Sequence, residues 1–275
     1  MRKSTWWVHI LLIIASFISI FPVFWILSTS LKPEAEVFST GIELIPKTFT
    51  LENYQEVLTR SDGIFLEWFR NSVLIALFTT AVGLVLSTTA AYAISRFKFW
   101  GRKWVELSIL MTQMFPGALL IIPLYLIVNN LGLLNSYTGV ILAYSTVSVP
   151  FCVMMLKSFF DTIPYELEEA ARVDGLSHFG TFYRIVLPLA LPGLAVTAFY
   201  SFITAWNEFL IAITFLSDET MYTLPIGLRQ FVNQFNNDYH LMSAAAILIT
   251  LPVLIFFFVA QRYLISGMTA GGTKG

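Results

Sequence analysis

Few residues of this sequence have the types and spacing that catalysis or metal binding requires. The three histidines, His9, His178 and His240, are far apart and form no pattern of metal ligands. The single cysteine, Cys152, lies in an apolar run, where a thiol behaves as a small buried hydrophobe. No G-x4-G-K-[ST] phosphate loop occurs. We therefore expect no ATP hydrolysis by this chain, no metal site and no bound cofactor.

Glu208 is the carboxylate that stands out, because it is the only one within the long apolar stretches of the first 214 residues. A carboxylate in a membrane span is costly and is by default a candidate for function. With its neighbours Trp206 and Asn207 it is a candidate for lining a pathway. Its place near the end of an apolar stretch favours a hydrogen bond at an interface or a gate over direct contact with a ligand.

The segment 161–187 predicts two helices joined by a sharp turn, which we call the elbow. Pro164 suits a first helical turn, and the glutamates that follow it suit the positive end of a helix dipole. Gly175 can adopt the left-handed conformation that ends a helix, and Ser177 can cap the next helix. The small residues Ala170 and Ala171 would let a partner surface approach one side closely.

The composition indicates that these residues are positioned by a membrane protein. Apolar residues make up 57% of the 275 positions and charged residues 12%, with a mean hydropathy of +0.74. An ordinary soluble domain has about 25% charged residues. A surplus of apolar residues this large favours a bilayer as the solvent for much of the surface.

Six stretches are long and apolar enough to span a bilayer, which needs about 20 residues per helix. We predict one all-α transmembrane domain over residues 1–275, with an uncleaved first span and kinks near Pro116–Pro123 and Pro192. If residue 1 is cytoplasmic, eleven of the sixteen Lys and Arg residues lie inside, so both termini and the elbow are predicted to be cytoplasmic. The predicted spans are 7–30, 71–95, 107–128, 137–156, 187–214 and 241–260.

Two predicted outer segments leave alternatives open. In 31–70, Thr50 can cap a short helix with an apolar face formed by Leu51, Tyr54, Val57 and Leu58. That helix either lies on the membrane or bundle surface or contacts an outside partner. The segment 215–240 is rich in amide and aromatic residues, which suit sugar recognition but are also common in any solvated loop.

The elbow resembles the E-A-A-x3-G-x9-I-x-L-P motif of permeases from binding-protein-dependent ABC importers. The resemblance implies the type I importer permease fold, with a coupling helix that seats in a cleft of a partner ATPase and moves the spans when ATP closes the ATPase dimer. Here the motif, with the neighbouring aspartate that we include in the coupling site, comprises Glu169, Ala170, Ala171, Asp174, Gly175, Ile185, Leu187 and Pro188.

Further stretches are similar to the smaller, six-span permease of maltose-type carbohydrate importers. These are 205–209, the pairs Asn53-Tyr54 and Asn71-Ser72, and the tail 261–275. In that group the tail extends between the ATPase subunits, and most substrate contacts lie in the larger permease. The tail residues implied to contact the ATPase are Gly267, Thr269, Gly271 and Lys274.

The resemblance implies a multi-pass inner-membrane location and a set of partners. These are a second, different permease, an ATPase dimer that carries ATP and Mg, and an extracytoplasmic solute-binding protein, with no role for nucleic acid. A related cargo, such as a polyol or a glycerol-phosphate-like solute, is an alternative. An ion-coupled secondary transporter would need intramembrane ionisable relays or inverted repeats, and a membrane enzyme would need polar clusters within the spans.

Overall fold

The computed structural model describes residues 6–39, 43–232 and 237–271, with side chains as far as Gln261. Within these ranges the regular structure is helical, apart from one isolated β-bridge between Val232 and Asn237. The helices are α1 (Trp6–Ser30), α2 (Glu34–Val37), α3 (Glu52–Arg96), α4 (Arg102–Met114), α5 (Gly117–Asn130), α6 (Tyr137–Thr162), α7 (Glu166–Val173), α8 (His178–Thr181), a π-helical turn (Phe182–Val186), α9 (Leu187–Leu189), α10 (Leu191–Trp206), α11 (Leu210–Phe215), a 3-10 turn (Glu219–Met221), α12 (Leu224–Leu228) and α13 (Tyr239–Gly271).

Four of the described helices, α1, α3, α6 and α13, are long and apolar enough to cross a bilayer. Two bent helix pairs bring the number of candidate spans to six if each pair counts as one span. This agrees with the predicted all-α membrane architecture.

The predicted third span, 107–128, is not one continuous helix. The chain bends by 106° between α4 and α5. Phe115 has extended backbone angles (ψ 129°) because the ring of Pro116 excludes the helical conformation from the preceding residue. The kink expected near Pro116 is therefore a full break, and Pro123 lies inside α5.

The predicted fifth span, 187–214, is also interrupted. The helical stretch His178–Leu189 and α10 meet at 77°, with Ala190 between them. Pro188 and Pro192 each lack the N–H that a continuous helix would use. A π-helical turn precedes Pro188, and the helical geometry after Trp206 resumes only at α11.

The chain divides into two compact units, of which the first comprises 1–69 and 224–251. Its buried side chains include Val57, Phe65, Trp68 and Leu224. The only buried residues of α1 are its last three, and the rest of the helix is exposed apart from the half-buried Val8. Arg60–Gly63 interrupt the helical geometry of α3 in this unit.

The predicted outer helix is present, but its buried face is different. The Thr50 hydroxyl accepts the N–H of Glu52 at 3.1 Å, as capping requires. Val57 is buried, whereas Leu51 is 70% exposed and Leu58 36%. Asn53 is buried instead, because its amide donates to the carbonyls of Ser30 and Lys32, each at 2.8 Å.

The second unit comprises 70–223 and 252–275, and within it α6 packs along α10. At Gly193 an added Cβ would lie 2.5 Å from Cγ of Phe159, so only glycine permits this approach. A cluster of buried residues joins the end of α3, the end of α6 and the π-helical turn: Ala91, Tyr92, Ile94, Val153, Leu156, Phe160, Ile163, Val186 and Ala190.

The helix α13 continues to Gly271, beyond the predicted end of the last span at 260. Gly267, Thr269 and Gly271 therefore belong to its backbone. Lys274 lies outside the described residues.

Candidate functional site

The elbow has the conformation that its sequence predicts. The helix α7 ends in a Schellman motif, because the N–H of Gly175 bonds to the Arg172 carbonyl and that of Leu176 to the Ala171 carbonyl, both at 3.0 Å. Gly175 has φ +89°, a value that side chains rarely allow. A second helix starts at once, so the chain turns sharply within a few residues.

Ser177 caps that second helix, as predicted. Its hydroxyl accepts the N–H of Gly180 at 3.1 Å and satisfies a donor that the helix itself cannot. From there α8, the π-helical turn and α9 lead to the bend at Ala190. The elbow is therefore a short, rigid segment in which the end of α7 and the start of α8 are both capped.

The two neighbouring glutamates of α7 have opposite environments. Glu169 is exposed, whereas Glu168 is 3% exposed. Both carboxylate oxygens of Glu168 have partners. Oε2 accepts the Tyr92 hydroxyl at 2.8 Å, and Oε1 forms an ion pair with Nε of Arg96. The helix dipole accounts for both glutamates alike, and the motif resemblance singled out Glu169 but gave no role to Glu168.

Arg96 also ties the elbow to the end of α6, since its Nη2 donates to the Ile163 carbonyl at 2.9 Å. On the elbow itself, Nε of Arg172 donates to the backbone carbonyl of Glu168 at 3.2 Å. Glu168 and Ala171 are three residues apart on α7, so they lie on one face of the helix, and both are buried.

The other predicted elbow residues divide between an exposed and a packed side. Glu169, Ala170, Asp174, Gly175 and Pro188 are exposed, Ile185 and Leu187 are half-buried, and Ala171 is buried. The prediction that both alanines face a partner is therefore wrong for Ala171, which packs inward on the side anchored by Glu168.

Large apolar side chains lie exposed on the elbow. The exposed fractions are 87% for Val173, 75% for Phe179 and 64% for Tyr183. An ordinary soluble surface rarely collects such side chains, and with the exposed Glu169 they are residues suited to protein contact. We call this set the elbow surface.

The three pathway candidates have structural partners. Trp206 is buried at the end of α10, with its ring stacked on Phe202 at 5.4 Å. Asn207 is exposed and donates to the Ile203 carbonyl at 3.0 Å.

The Glu208 carboxylate accepts the N–H groups of Ile211 at 2.7 Å and Ala212 at 3.0 Å. It therefore caps the first turn of α11. The expected hydrogen bond at an interface or a gate stays a prediction. Between Trp206 and α11 this cap restarts the helix after a break.

Asn71 is a buried hub that the sequence marked only through a resemblance. It is 0% exposed. Its Nδ2 donates to the carbonyls of Thr220 at 2.8 Å and Tyr222 at 3.0 Å, and its Oδ1 accepts the Tyr137 hydroxyl at 2.7 Å. One amide thus joins α3, the start of α6 and the loop around 220.

Among the residues that the structure describes, no group of three or more His, Cys, Asp or Glu side chains is arranged to hold a metal ion. The polar side chains singled out above act as hydrogen-bonded anchors. The elbow, with one face fixed and the other exposed, is the feature best suited to a function.

Comparisons with known proteins agree on one family. Residues 83–270 match the family described as binding-protein-dependent transport system inner membrane component. The chain is 39% identical over 258 residues to the inner membrane ABC transporter permease protein YcjP of Escherichia coli strain K12, covering 94% of this chain and 92% of that protein.

The trehalose transport system permease protein SugB of Mycobacterium tuberculosis is 36% identical over 276 residues, covering 100% of this chain and 99% of that protein. Among solved structures, a chain from a bacterial ABC transporter involved in the import of the acidic polysaccharide alginate superposes with a TM-score of 0.83. It is 25% identical, and the match covers 96% of this chain and 99% of that one.

Proposed function

Because the chain belongs to the family of binding-protein-dependent transport system inner membrane components, we propose that it couples an ATPase to carbohydrate import through its elbow. The chain is a multi-pass inner-membrane permease component. It would form half of an alternating-access pathway. The observation that carries the coupling role is the elbow itself, which is anchored through Glu168 and exposed through Glu169.

We expect the elbow surface to bind in a cleft of the ATPase, because the elbow is narrow and its side chains are exposed. Val173, Phe179 and Tyr183 supply apolar contact area, and Glu169 can pair with a basic residue of the partner. The left-handed Gly175 keeps the turn narrow. A short helix with fixed ends transmits a displacement that a flexible loop would absorb.

ATP and Mg would bind the partner subunit rather than this chain. The sequence lacks the phosphate loop that holds nucleotide phosphates in such ATPases. The tail residues Gly267, Thr269, Gly271 and Lys274 would extend towards the interface between the ATPase subunits. This arrangement requires both termini and the elbow on the cytoplasmic side, as the distribution of Lys and Arg favours.

Carbohydrate cargo is supported by the similar proteins. One is a trehalose transport permease, and another belongs to a transporter of the polysaccharide alginate. A second, different permease would complete the pathway, and an extracytoplasmic binding protein would deliver the sugar. The largely exposed α1 provides apolar area for lipid or for the second permease.

The test is ATP-driven uptake by proteoliposomes that hold the chain together with its proposed permease, ATPase and binding-protein partners. Labelled trehalose, maltose, sorbitol and glycerol phosphate serve as the cargo panel. We expect uptake of one of the sugars, and a loss of both uptake and ATPase stimulation in Glu169→Arg and Gly175→Val.

Gly117→Ala is the matched control, because an added Cβ there meets nothing within 4 Å. Persistent uptake and ATPase stimulation in both elbow variants would contradict the coupling role. Uptake of glycerol phosphate or sorbitol without either sugar would contradict the carbohydrate assignment and leave the coupling role standing.

A further inference from the structure

One carboxylate makes the side-chain hydrogen bonds that join α7 to α3. Of its eight residues, only Glu168 and Ala171 are buried. The alanine offers a single methyl group, so the polar contacts of Glu168 are the directional attachment of this helix to α3.

The attachment reaches three separate elements. Tyr92 and Arg96 come from the last turns of α3. The Tyr92 ring also packs edge-on against Phe160 at 5.8 Å, at the end of α6, and lies 4.5 Å from Phe182 of the π-helical turn. A movement of α7 therefore cannot occur without a displacement at the ends of two candidate spans, unless these contacts break.

Burial makes the attachment stiff in a way that an apolar contact would not. The side chains of Arg96 and Glu168 are 9% and 4% exposed. A buried ion pair adds little net stability over a well-packed apolar pair, but separating its members is strongly unfavourable. Its hydrogen bonds also fix direction, so the pair resists sliding as well as separation.

We propose that Tyr92, Arg96 and Glu168 form a strut that transmits displacement of the elbow to α3 and α6. Glu168 is a positioning residue in this scheme and touches no partner, whereas Glu169 faces the ATPase. The proposal rests on the proposed coupling function. It goes beyond that function by assigning different roles to two adjacent glutamates: Glu168 transmits the movement, and Glu169 contacts the ATPase.

The test measures ATP hydrolysed per solute imported, with the proteoliposomes and cargo panel described above. Glu168→Ala should keep the ATPase bound and hydrolysing while uptake falls about ten-fold, since a buried charge-assisted contact is lost. The ATP-to-solute ratio then rises about ten-fold. Tyr92→Phe, which removes one hydroxyl, should raise the ratio less.

Two controls distinguish a loss of transmitted movement from a loss of ATPase binding and from misfolding of the variant. Glu166→Gln changes an exposed glutamate of the same helix and should leave the ratio at the wild-type value. Adding Arg96→Ala to Glu168→Ala should raise the ratio by less than the product of the two single effects, because both substitutions remove the Arg96–Glu168 ion pair, although Arg96→Ala also removes the bond to the Ile163 carbonyl. Tyr92→Phe and Glu168→Gln preserve side-chain shape. If Glu168→Ala does not fold, the ATP-to-solute ratios of these two variants test the strut.

The strut is overturned if the shape-preserving variants keep the wild-type ratio. It is also overturned if uptake and ATPase activity fall together as the ATPase subunit is lost, because Glu168 would then be a docking residue. Failure of the wild-type chain to retain any ATPase would instead refute the proposed coupling function, and the strut with it.

Discussion

Replacing Asn71 by alanine should strongly destabilise the unit that contains it. The amide makes three hydrogen bonds, with the carbonyls of Thr220 and Tyr222 and with the hydroxyl of Tyr137, and none of its surface is exposed. Alanine removes all three bonds and leaves their partners without a replacement. Tyr137→Phe removes only one of them.

The magnitude follows from the number of bonds lost. Each net hydrogen bond contributes about 1 kcal/mol, so the free energy of unfolding should fall by about 3 kcal/mol in Asn71→Ala and by about 1 kcal/mol in Tyr137→Phe. Since 1.4 kcal/mol corresponds to a factor of ten, the opening equilibrium should increase about 100-fold and about five-fold.

The single cysteine of the chain provides the assay. Cys152 is 0% exposed and lies in the same unit as Asn71, so a fluorogenic maleimide should label it only after opening. When reclosing is faster than labelling, the labelling rate follows the opening equilibrium. The labelling rates of the purified proteins in detergent should therefore increase in the order wild type, Tyr137→Phe, Asn71→Ala.

Asn207→Ala is the control, because this exposed amide makes one hydrogen bond within its own helix turn, to Ile203. Its labelling rate should stay within about two-fold of wild type. A wild-type rate for Asn71→Ala, or an equal increase for Asn207→Ala, would refute the view that the buried hub stabilises this unit.

Two further substitutions test close packing and capping. Gly193→Ala would place a methyl group 2.5 Å from Cγ of Phe159 and should lower the free energy of unfolding by about 1–3 kcal/mol, which faster maleimide labelling of Cys152 would show. Gly117→Ala should be neutral, because the space around Gly117 is free. Equal labelling rates for the two variants would contradict the close approach of α10 to α6. Glu208→Gln keeps a hydrogen-bond acceptor for the first turn of α11 and should retain most of the uptake, whereas Glu208→Ala should lower the free energy of unfolding by about 1 kcal/mol. An equal loss of uptake in both variants, without a change in stability, would indicate a ligand or pathway role instead.

The elbow could be predicted in detail because its geometry depends on local residue types. A glycine at φ +89° and a serine cap act within a few residues of the chain, so Gly175 and Ser177 predict the turn without any tertiary information. The break before Pro116 is of the same kind, although its angle of 106° exceeds the expected kink. Sequence indicates that a helix stops but not how far the next one turns.

The strut could not be predicted, because the partners of Glu168 are 76 and 72 residues away along the chain. Nothing local distinguishes it from Glu169, since both suit the first turn of a helix. The helix after Thr50 is present, but part of its predicted apolar face was wrong for a related reason. Its apolar spacing selected Leu51 and Leu58, but tertiary hydrogen bonds drew Asn53 inward and left those leucines exposed.

The central claim, that the elbow seats in an ATPase, is tested most directly by photocrosslinking in membranes. A photoreactive amino acid would replace Val173, which is 87% exposed on α7, or Leu131, which is 62% exposed beside the opposite end of α6. The account predicts a crosslink to the ATPase subunit from position 173 and none from position 131. Absence of that crosslink from position 173 in a complex that transports, or the same crosslink from both positions, would contradict it.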